Sequence, residues 1–323
     1  MNTDTAARAS YWRGAALAGL TALISGVSVF VSKYGTQAVP DPFVYTTARN
    51  VYVGGLLLVA LLALHTWRRA RGEGVATRGM GWRDAPALAA IALVGGSVPF
   101  LLFFWGLTLT TAPIASFIQK TQFVWVAALA VPLLREAFGG WQAIALLALL
   151  GGTVLQGSAP LRGPGLGELL VFAATLLWSV EAVLARRTLQ RVSPLVGAAA
   201  RMAGGAVVMA GFLAASGRLD ALLSLTLTQW LWVAGPGLFL LGYVVTWYAA
   251  LRRAPALVVT SVLTLGAPVT SLLNAVFVTH SVPSTTLAGG AVLAIGAGLL
   301  TLAMWRGMDR WSSRLERRPV GVA

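Results

Sequence analysis

The sequence predicts an all-α polytopic membrane protein with ten transmembrane helices, arranged as two inverted five-helix repeats around a central cavity. Three observations carry that prediction. The 323 residues are 57% hydrophobic and only 11% charged, whereas a soluble domain carries about a quarter charged residues. The runs 14–32, 85–119, 137–161, 221–251 and 254–305 contain no Asp, Glu, Lys or Arg, and a bilayer crossing needs about 20 such residues. The two halves of the chain also share sequence elements in the same order. A copied unit with an odd number of helices enters the membrane from the opposite side.

Apolar stretches bounded by charge, Pro and Gly place the spans near 12–34, 42–65, 85–107, 112–134, 139–158, 165–187, 194–216, 229–251, 255–279 and 284–305. Lys and Arg test this count, because basic loops favour the cytoplasmic side. With ten crossings, Arg8, Arg13, Arg68, Arg69, Arg71, Arg78, Arg83, Arg135, Arg186, Arg187, Arg191, Arg252, Arg253, Arg306, Arg310, Arg314, Arg317 and Arg318 fall on one side; Lys33, Arg162 and Arg218 fall on the other. Both termini are therefore expected in the cytoplasm. MNTDTAARASYWRG shows no cleavage-site pattern, so the first span is expected to be retained. Trp12, Trp67, Trp82, Trp141, Trp230, Trp305 and Trp311 lie near span ends, where they would serve as interfacial anchors.

The net charge of +14 reads as loop anchoring in a chain this apolar, not as a nucleic-acid surface. With no cysteines, disulfides and thiolate metal sites are excluded. His65 and His280 sit at the ends of different spans and give no metal spacing. GPGLGELL (163–170) lacks the third glycine of a nucleotide loop and follows no strand. No acid pair, His–Asp constellation or metal cluster points to an enzyme, and no cofactor is implied.

The repeat is visible in two places. DPFVYTTAR (41–49) and SPLVGAAAR (193–201) share Pro42/Pro194, Val44/Val196, Ala48/Ala200 and Arg49/Arg201 at an offset of 152. FWGLTLTTAP (104–113) and TWYAALRRAP (246–255) share Trp105/Trp247, Leu109/Leu251, Ala112/Ala254 and Pro113/Pro255 at an offset of 142. The expected units are 1–160 and 161–305, followed by a basic tail, 306–323. Inverted repeats are the architecture of secondary transporters, with the substrate site near the midplane between the halves. The copies differ, since Lys120 aligns with Val262 and Arg135–Glu136 has no counterpart.

Four ionisable side chains lie well inside spans: Arg49, Lys120, Glu181 and Arg201. Intramembrane charges are costly and face a cavity or a partner. Glu181 and Arg201 share a level and are expected to form a structural or gating ion pair. Arg49 and Lys120 share a level near the opposite surface, with no acid beside them. Either both reach the headgroups along their stems, or at least one faces the pathway and attracts a carboxylate. Ser116, Gln119, Lys120 and Phe123 share a broad helical face, a combination no lipid-facing surface would carry. Gln122 and Trp125 point elsewhere, and Gln122 is expected to bond a neighbouring helix. Thr260, Thr264, Ser271 and Asn274 form a comparable stripe in the ninth span. Pro268, and Gly95, Gly96 and Pro99, are candidate kinks. Gly54–Gly55, Gly151–Gly152, Gly204–Gly205, Gly289–Gly290 and Gly296/Gly298 are expected to permit close helix approach.

The 5+5 arrangement, the P-x-V-x-x-x-A-R element, the W-x-x-x-L-x-x-A-P junctions and Pro268 in TLGAPVTSLLNAVF resemble the drug/metabolite transporter superfamily in its EamA-type branch, over nearly the whole chain. Within that superfamily, APIASFIQKTQFVWVAALAVPLLRE (112–136) is most similar to bacterial aromatic amino acid exporters. The resemblance implies a multi-pass protein of the bacterial inner membrane that exports aromatic and other neutral amino acids by alternating access. Its partners would be the small-molecule substrate and membrane lipids. The resemblance also implies that Tyr45, Trp105 and Trp178 are wall residues. Efflux of lipophilic or cationic drugs is the alternative; such cargo would favour buried acids, whereas the unpaired intramembrane charges here are positive.

Overall fold

A segment in lipid must satisfy every main-chain polar group within itself, and the long apolar stretches do so as helices. The computed structural model describes residues 3–71, 81–156 and 165–316, with side chains described for 5–71, 81–111, 114–156 and 165–307. Arg78, Arg162, the first residues of GPGLGELL, the 160/161 boundary, Arg317 and Arg318 lie outside the described residues, as do the side chains of Arg310, Trp311 and Arg314. The helices are α1 (Thr3–Ala38), α2 (Pro42–Ala70), α3 (Ala85–Val94 and Val98–Leu109), α4 (Ala112–Lys120 and Gln122–Leu134) and α5 (Gly140–Gln156). They continue as α6 (Leu166–Thr188), α7 (Pro194–Ala199 and Gly205–Ala215, joined by a π turn), α8 (Leu227–Arg253), α9 (Ala256–Leu263 and Gly266–Asn274, then a π turn) and α10 (Ser284–Glu316). Among the described residues nine helices are long and apolar enough to cross a bilayer, and α5, with 17 residues, is the tenth.

Helix starts follow local chemistry. Asp41 caps α2, its Oδ1 accepting from the amides of Phe43 (2.8 Å) and Val44 (3.2 Å), and Pro42 needs no amide partner at the first position. Ser193 Oγ does the same for α7 through the Val196 amide (3.3 Å), ahead of Pro194. The P-x-V element of both repeats is thus a capped helix start.

Helix pairing shows the inverted symmetry. α1 lies along α8 and α6 lies along α3; α4 crosses α6 as α9 crosses α1; α5 pairs with α10, and α2 with α7. Exchanging the first five helices for the last five maps this set of neighbours onto itself.

Contacts between helix ends sort them into two faces. On one, Tyr11 Oη donates to Thr301 O (2.6 Å), Arg191 Nε lies 3.6 Å from Asp84 Oδ1, and Gln190 reaches Arg252 O (3.4 Å). On the other, Arg218 meets Asp41 (3.4 Å), Gln229 reaches Ala38 O (3.2 Å), Gln156 reaches Thr286 O (3.4 Å) and Thr110 bonds Glu168. Every pair joins ends that the arginine pattern puts on a common side. We call the first the basic face and the second the far face. Leu23, Val59, Leu62, Leu147, Val207 and Leu231 are more than half exposed on the outer surface, as lipid contact requires, and Trp12, Trp67, Trp82 and Trp141 are exposed near span ends.

Only one glycine of several expected pairs makes a close approach. A Cβ at Gly54 would meet Ala203 Cα at 2.8 Å, one at Gly152 the Leu293 amide at 2.9 Å, and one at Gly296 the Leu149 amide at 3.0 Å; Gly55, Gly151 and Gly298 face open space. The tightest crossing joins α3 to α7, where a Cβ at Gly96 would lie 1.9 Å from Arg201 O.

Candidate functional site

Three helices break where they meet the centre of the molecule. In α3 the break falls at Gly95–Ser97. Pro99 has no amide to offer the Gly95 carbonyl, and that oxygen instead accepts from Trp178 Nε1 (3.2 Å) and Arg201 Nε (3.3 Å). In α9 the break falls at Thr264–Leu265, one turn before Pro268. In α4 it falls at Thr121, with no proline. The α4 and α9 breaks share a device: each threonine hydroxyl donates to a carbonyl three residues back, Thr121 to Ile118 O (2.7 Å) and Thr264 to Ser261 O (2.7 Å). Arg201 itself sits in the π turn of α7, a local widening that recurs at functional positions.

Around these breaks lies a cavity of about 990 Å³, at the upper end of the roughly 300–1,000 Å³ typical of small-molecule sites. Ser116, Gln119, Lys120, Phe123, Arg49, Trp178, Glu181, Arg201 and Thr264 all line it, together with Thr260, Ser271 and Asn274. Lys33, Ser281 and Thr286 line its other end, so it reaches the far face. Towards the basic face no lining residue comes from α1 before Ser25, α4 after Phe123, α8 after Trp247 or α9 before Thr260. There Tyr248, Ala250, Leu251, Leu257, Val258 and Val259 are fully buried. The cavity is open at one face and sealed at the other.

Glu181 and Arg201 form its floor, with Glu181 Oε2 3.7 Å from Arg201 Nη1 and both side chains buried. Glu181 Oε1 accepts from Tyr248 Oη at 2.6 Å. One carboxylate oxygen is thus hydrogen-bonded and the other ion-paired, and Arg201 Nη1 has no hydrogen-bond partner among the described residues. Arg49, the repeat partner of Arg201, has no acid beside it among the described residues. One nitrogen donates to Ser32 Oγ (3.4 Å), the guanidinium lies 5.5 Å from the Tyr45 ring centre, and Nε has no hydrogen-bond partner. Among the described residues Lys120 makes no hydrogen bond or ion pair. Phe100 and Trp178 meet edge to face at 5.2 Å, and Tyr243 stacks on Trp247 at 6.0 Å and 11°, completing an aromatic wall.

The structure places two expected wall residues elsewhere. Tyr45 is fully buried away from the cavity, its ring against Gly35 and the Arg49 guanidinium. Trp105 is half exposed on the outside of α3. Gln122 also differs: α4 breaks at Thr121, the Gln122 side chain lines the cavity, and its bond to a neighbouring helix is made by the main-chain carbonyl, which accepts from Ser179 Oγ (3.5 Å). Trp125 does point away, donating to Thr121 Oγ1 (3.1 Å) and meeting Phe172 edge to face. Sequence reasoning missed the α1 wall, although Ser25 and Ser28 sit there at helical spacing. Trp247 was legible only as a mark of the repeat.

Ten membrane-spanning helices in inverted repeats around a cavity with one open end define a membrane transport protein. The chain belongs to the EamA-like transporter family, whose model matches it twice, over residues 12–157 and 165–303. No curated protein sequence matches the chain. A solved structure described only as a crystal structure of a protein superposes with a TM-score of 0.70, covering 90% of this chain and 98% of its own at 24% identity. That likeness speaks to the fold alone.

Proposed function

We propose that this transporter exports amino acids, aromatic and other neutral ones, across a bacterial inner membrane by alternating access, with the basic face and both termini in the cytoplasm. One observation carries the reading: Lys120 lies without a protein partner in an aromatic-walled cavity. An intramembrane ammonium with no partner is costly, and a substrate carboxylate would offset that cost. Arg49 lies at the same level and supplies a second cation. Ser116 and Gln119 offer hydrogen bonds beside Lys120, while Phe123, Trp178 and Trp247 offer flat apolar surface to a ring.

In this reading the structure is the outward-open member of the pair. The Glu181–Arg201 pair and the seal beneath it separate the site from the cytoplasm, and Thr121, Thr264 and the α3 break are the points where the helices bend as the seal opens. Glu181 is the cavity's acid, and its two oxygens are already held. That favours movement down an outward gradient over proton exchange through Glu181. Cationic drugs are poorly served by a cavity whose unpaired charges are positive.

The test is uptake of labelled amino acids into liposomes carrying the purified chain, with and without a pH gradient. Saturable flux of phenylalanine and tryptophan that persists without the gradient is expected. No saturable flux for any amino acid overturns the proposal.

A further inference from the structure

Resting on the reading of the central cavity as the transport site, we infer that its preferred cargo is a net organic anion: an apolar, ring-bearing carboxylate without a free ammonium group, such as an aromatic 2-oxo acid or an N-acyl amino acid. The parent zwitterion is the weaker substrate.

The cavity's polar groups are unbalanced. Lys33, Arg49, Lys120 and Arg201 line it, against the single carboxylate of Glu181. That carboxylate is held on one oxygen by Tyr248 and on the other by Arg201, and breaking such a buried pair is strongly unfavourable. It is not free to receive a substrate ammonium.

The threonine hydroxyls are weaker acceptors than they look. Thr260, Thr264 and Thr270 each commit the hydroxyl hydrogen to a main-chain carbonyl, at 2.9, 2.7 and 2.9 Å. Their oxygens offer only neutral lone pairs, and hydrogen bonds between neutral groups are roughly half as strong as charge-assisted ones. The buried cavity groups that do want partners are donors. Arg49 Nε and Trp247 Nε1 are buried, line the cavity or belong to side chains that do, and have no acceptor, and Lys120 adds a full positive charge. A ligand satisfies all three only by bringing acceptors.

A carboxylate on an aromatic body fits both halves of this description. Its charge meets Lys120 and Arg49, and its ring meets Phe100, Phe123, Trp178 and Trp247. An α-ammonium group adds a positive charge to a space that already holds an excess of them. Replacing it with a carbonyl or an amide removes that repulsion and adds an acceptor for the unpartnered donors.

The test uses the full chain in liposomes at neutral pH with three labelled probes: phenylpyruvate, N-acetylphenylalanine and phenylalanine. The KM of the two anions is expected to lie about tenfold or more below that of phenylalanine. Phenethylamine, the same ring bearing only a cation, is expected not to compete. Lys120→Gln is expected to bring the three KM values to within about threefold of one another. It should not lower the melting temperature, because Lys120 has no protein partner to lose and an unpartnered intramembrane charge is itself costly. Phenylalanine flux with a KM equal to or below that of the anions overturns this inference and leaves amino acid export standing. Anion flux with no amino acid flux supports it and overturns the export reading instead. Absence of saturable flux for all three overturns both.

Discussion

Glu136 caps the helix that begins at Ala256: its Oε1 accepts the Ala256 amide at 2.6 Å and its Oε2 the Leu257 amide at 3.1 Å. A carboxylate at a helix N-terminus satisfies two orphan donors and complements the helix dipole. This contact ties the end of α4 to the start of α9, across the two repeats, at the sealed face. Arg135, in the left-handed conformation at φ 55°, turns the chain to make the reach. At the far face His280 ends α9 in the same conformation, at φ 51°, but Ser281 follows it and lines the open cavity. The acid is present where the molecule is closed and missing where it is open. Glu136→Ala should destabilise the chain by about 3–6 kcal/mol, at roughly 1.5–3 kcal/mol for each charge-assisted bond, measured by thermal unfolding in detergent. Glu136→Gln should recover part of that loss.

The same carboxylate makes the seal sensitive to pH. Burial pushes the Glu136 carboxyl up, against the opposing pull of the two amides and of the Arg186 guanidinium. A group whose value is raised in the sealed state binds its proton more tightly there than when water reaches it. Acid therefore favours the sealed state, and the advantage is lost as pH climbs from the ordinary glutamate value, roughly 4.3, through the raised one. Because the chain has no cysteine, spin labels introduced at exposed Arg135 and Arg253 report this face alone. Their separation should widen with rising pH in the parent chain and stay constant in Glu136→Gln. An equal response in both would remove Glu136 from the account.

At the cavity floor, replacing Glu181 or Arg201 alone leaves one buried charge without its partner and should cost about 3–5 kcal/mol. The exchanged pair, Glu181→Arg with Arg201→Glu, restores the attraction. It does not restore the bond from Tyr248 to position 181 or that from position 201 to Gly95 O. Partial recovery of folded yield is expected, against near-complete loss for each single variant. Recovery no better than the singles would mean that the ion pair contributes little beyond its packing.

Close helix approach gives a paired prediction. Gly96→Ala places a methyl group 1.9 Å from the Arg201 carbonyl, main chain against main chain with no side chain to yield. The variant should fail to accumulate as folded protein. Gly151→Ala meets nothing within 4 Å and should gain about 0.5–1 kcal/mol from its helical preference. Comparing the two in one thermal-shift series separates contact from composition.

Much of the architecture could be read from the residues because lipid leaves few choices. Uncharged runs of span length, arginines on alternate connections, and Pro42/Pro194 ahead of Arg49/Arg201 each reflect a constraint that acts along the chain. Depth is also such a constraint, which is why Glu181 and Arg201 could be put on one level and are found 3.7 Å apart. Rotation about a helix axis is not. Tyr45 and Trp105 lie at reasonable depths yet face away from the cavity, because their neighbours set the azimuth. Gln122 lines the cavity beside the α4 break at Thr121, which neither Pro nor Gly announces. Glu136 stood out in the sequence only as a difference between the repeats; its partners are main-chain amides, which no pattern of side chains reveals.

The sealed face is held largely by side chains gripping backbone. Glu136 takes two amides of α9, while Arg186 reaches Leu251 O (2.7 Å), Arg187 reaches Leu133 O (2.5 Å) and Tyr11 reaches Thr301 O. In each contact the recognising side chain is specific while the recognised residue supplies only main chain: a carbonyl, which every amino acid presents, or at Ala256 and Leu257 an amide, which every one but proline presents. Mutational sensitivity at this face should therefore be lopsided, concentrated in Tyr11, Glu136, Arg186 and Arg187. A conservative exchange at exposed Leu133 would leave the latch intact, whereas Leu251 and Ala256 are fully buried and constrained by packing, so only the outer surface of the receiving helices can vary without disturbing how the door closes.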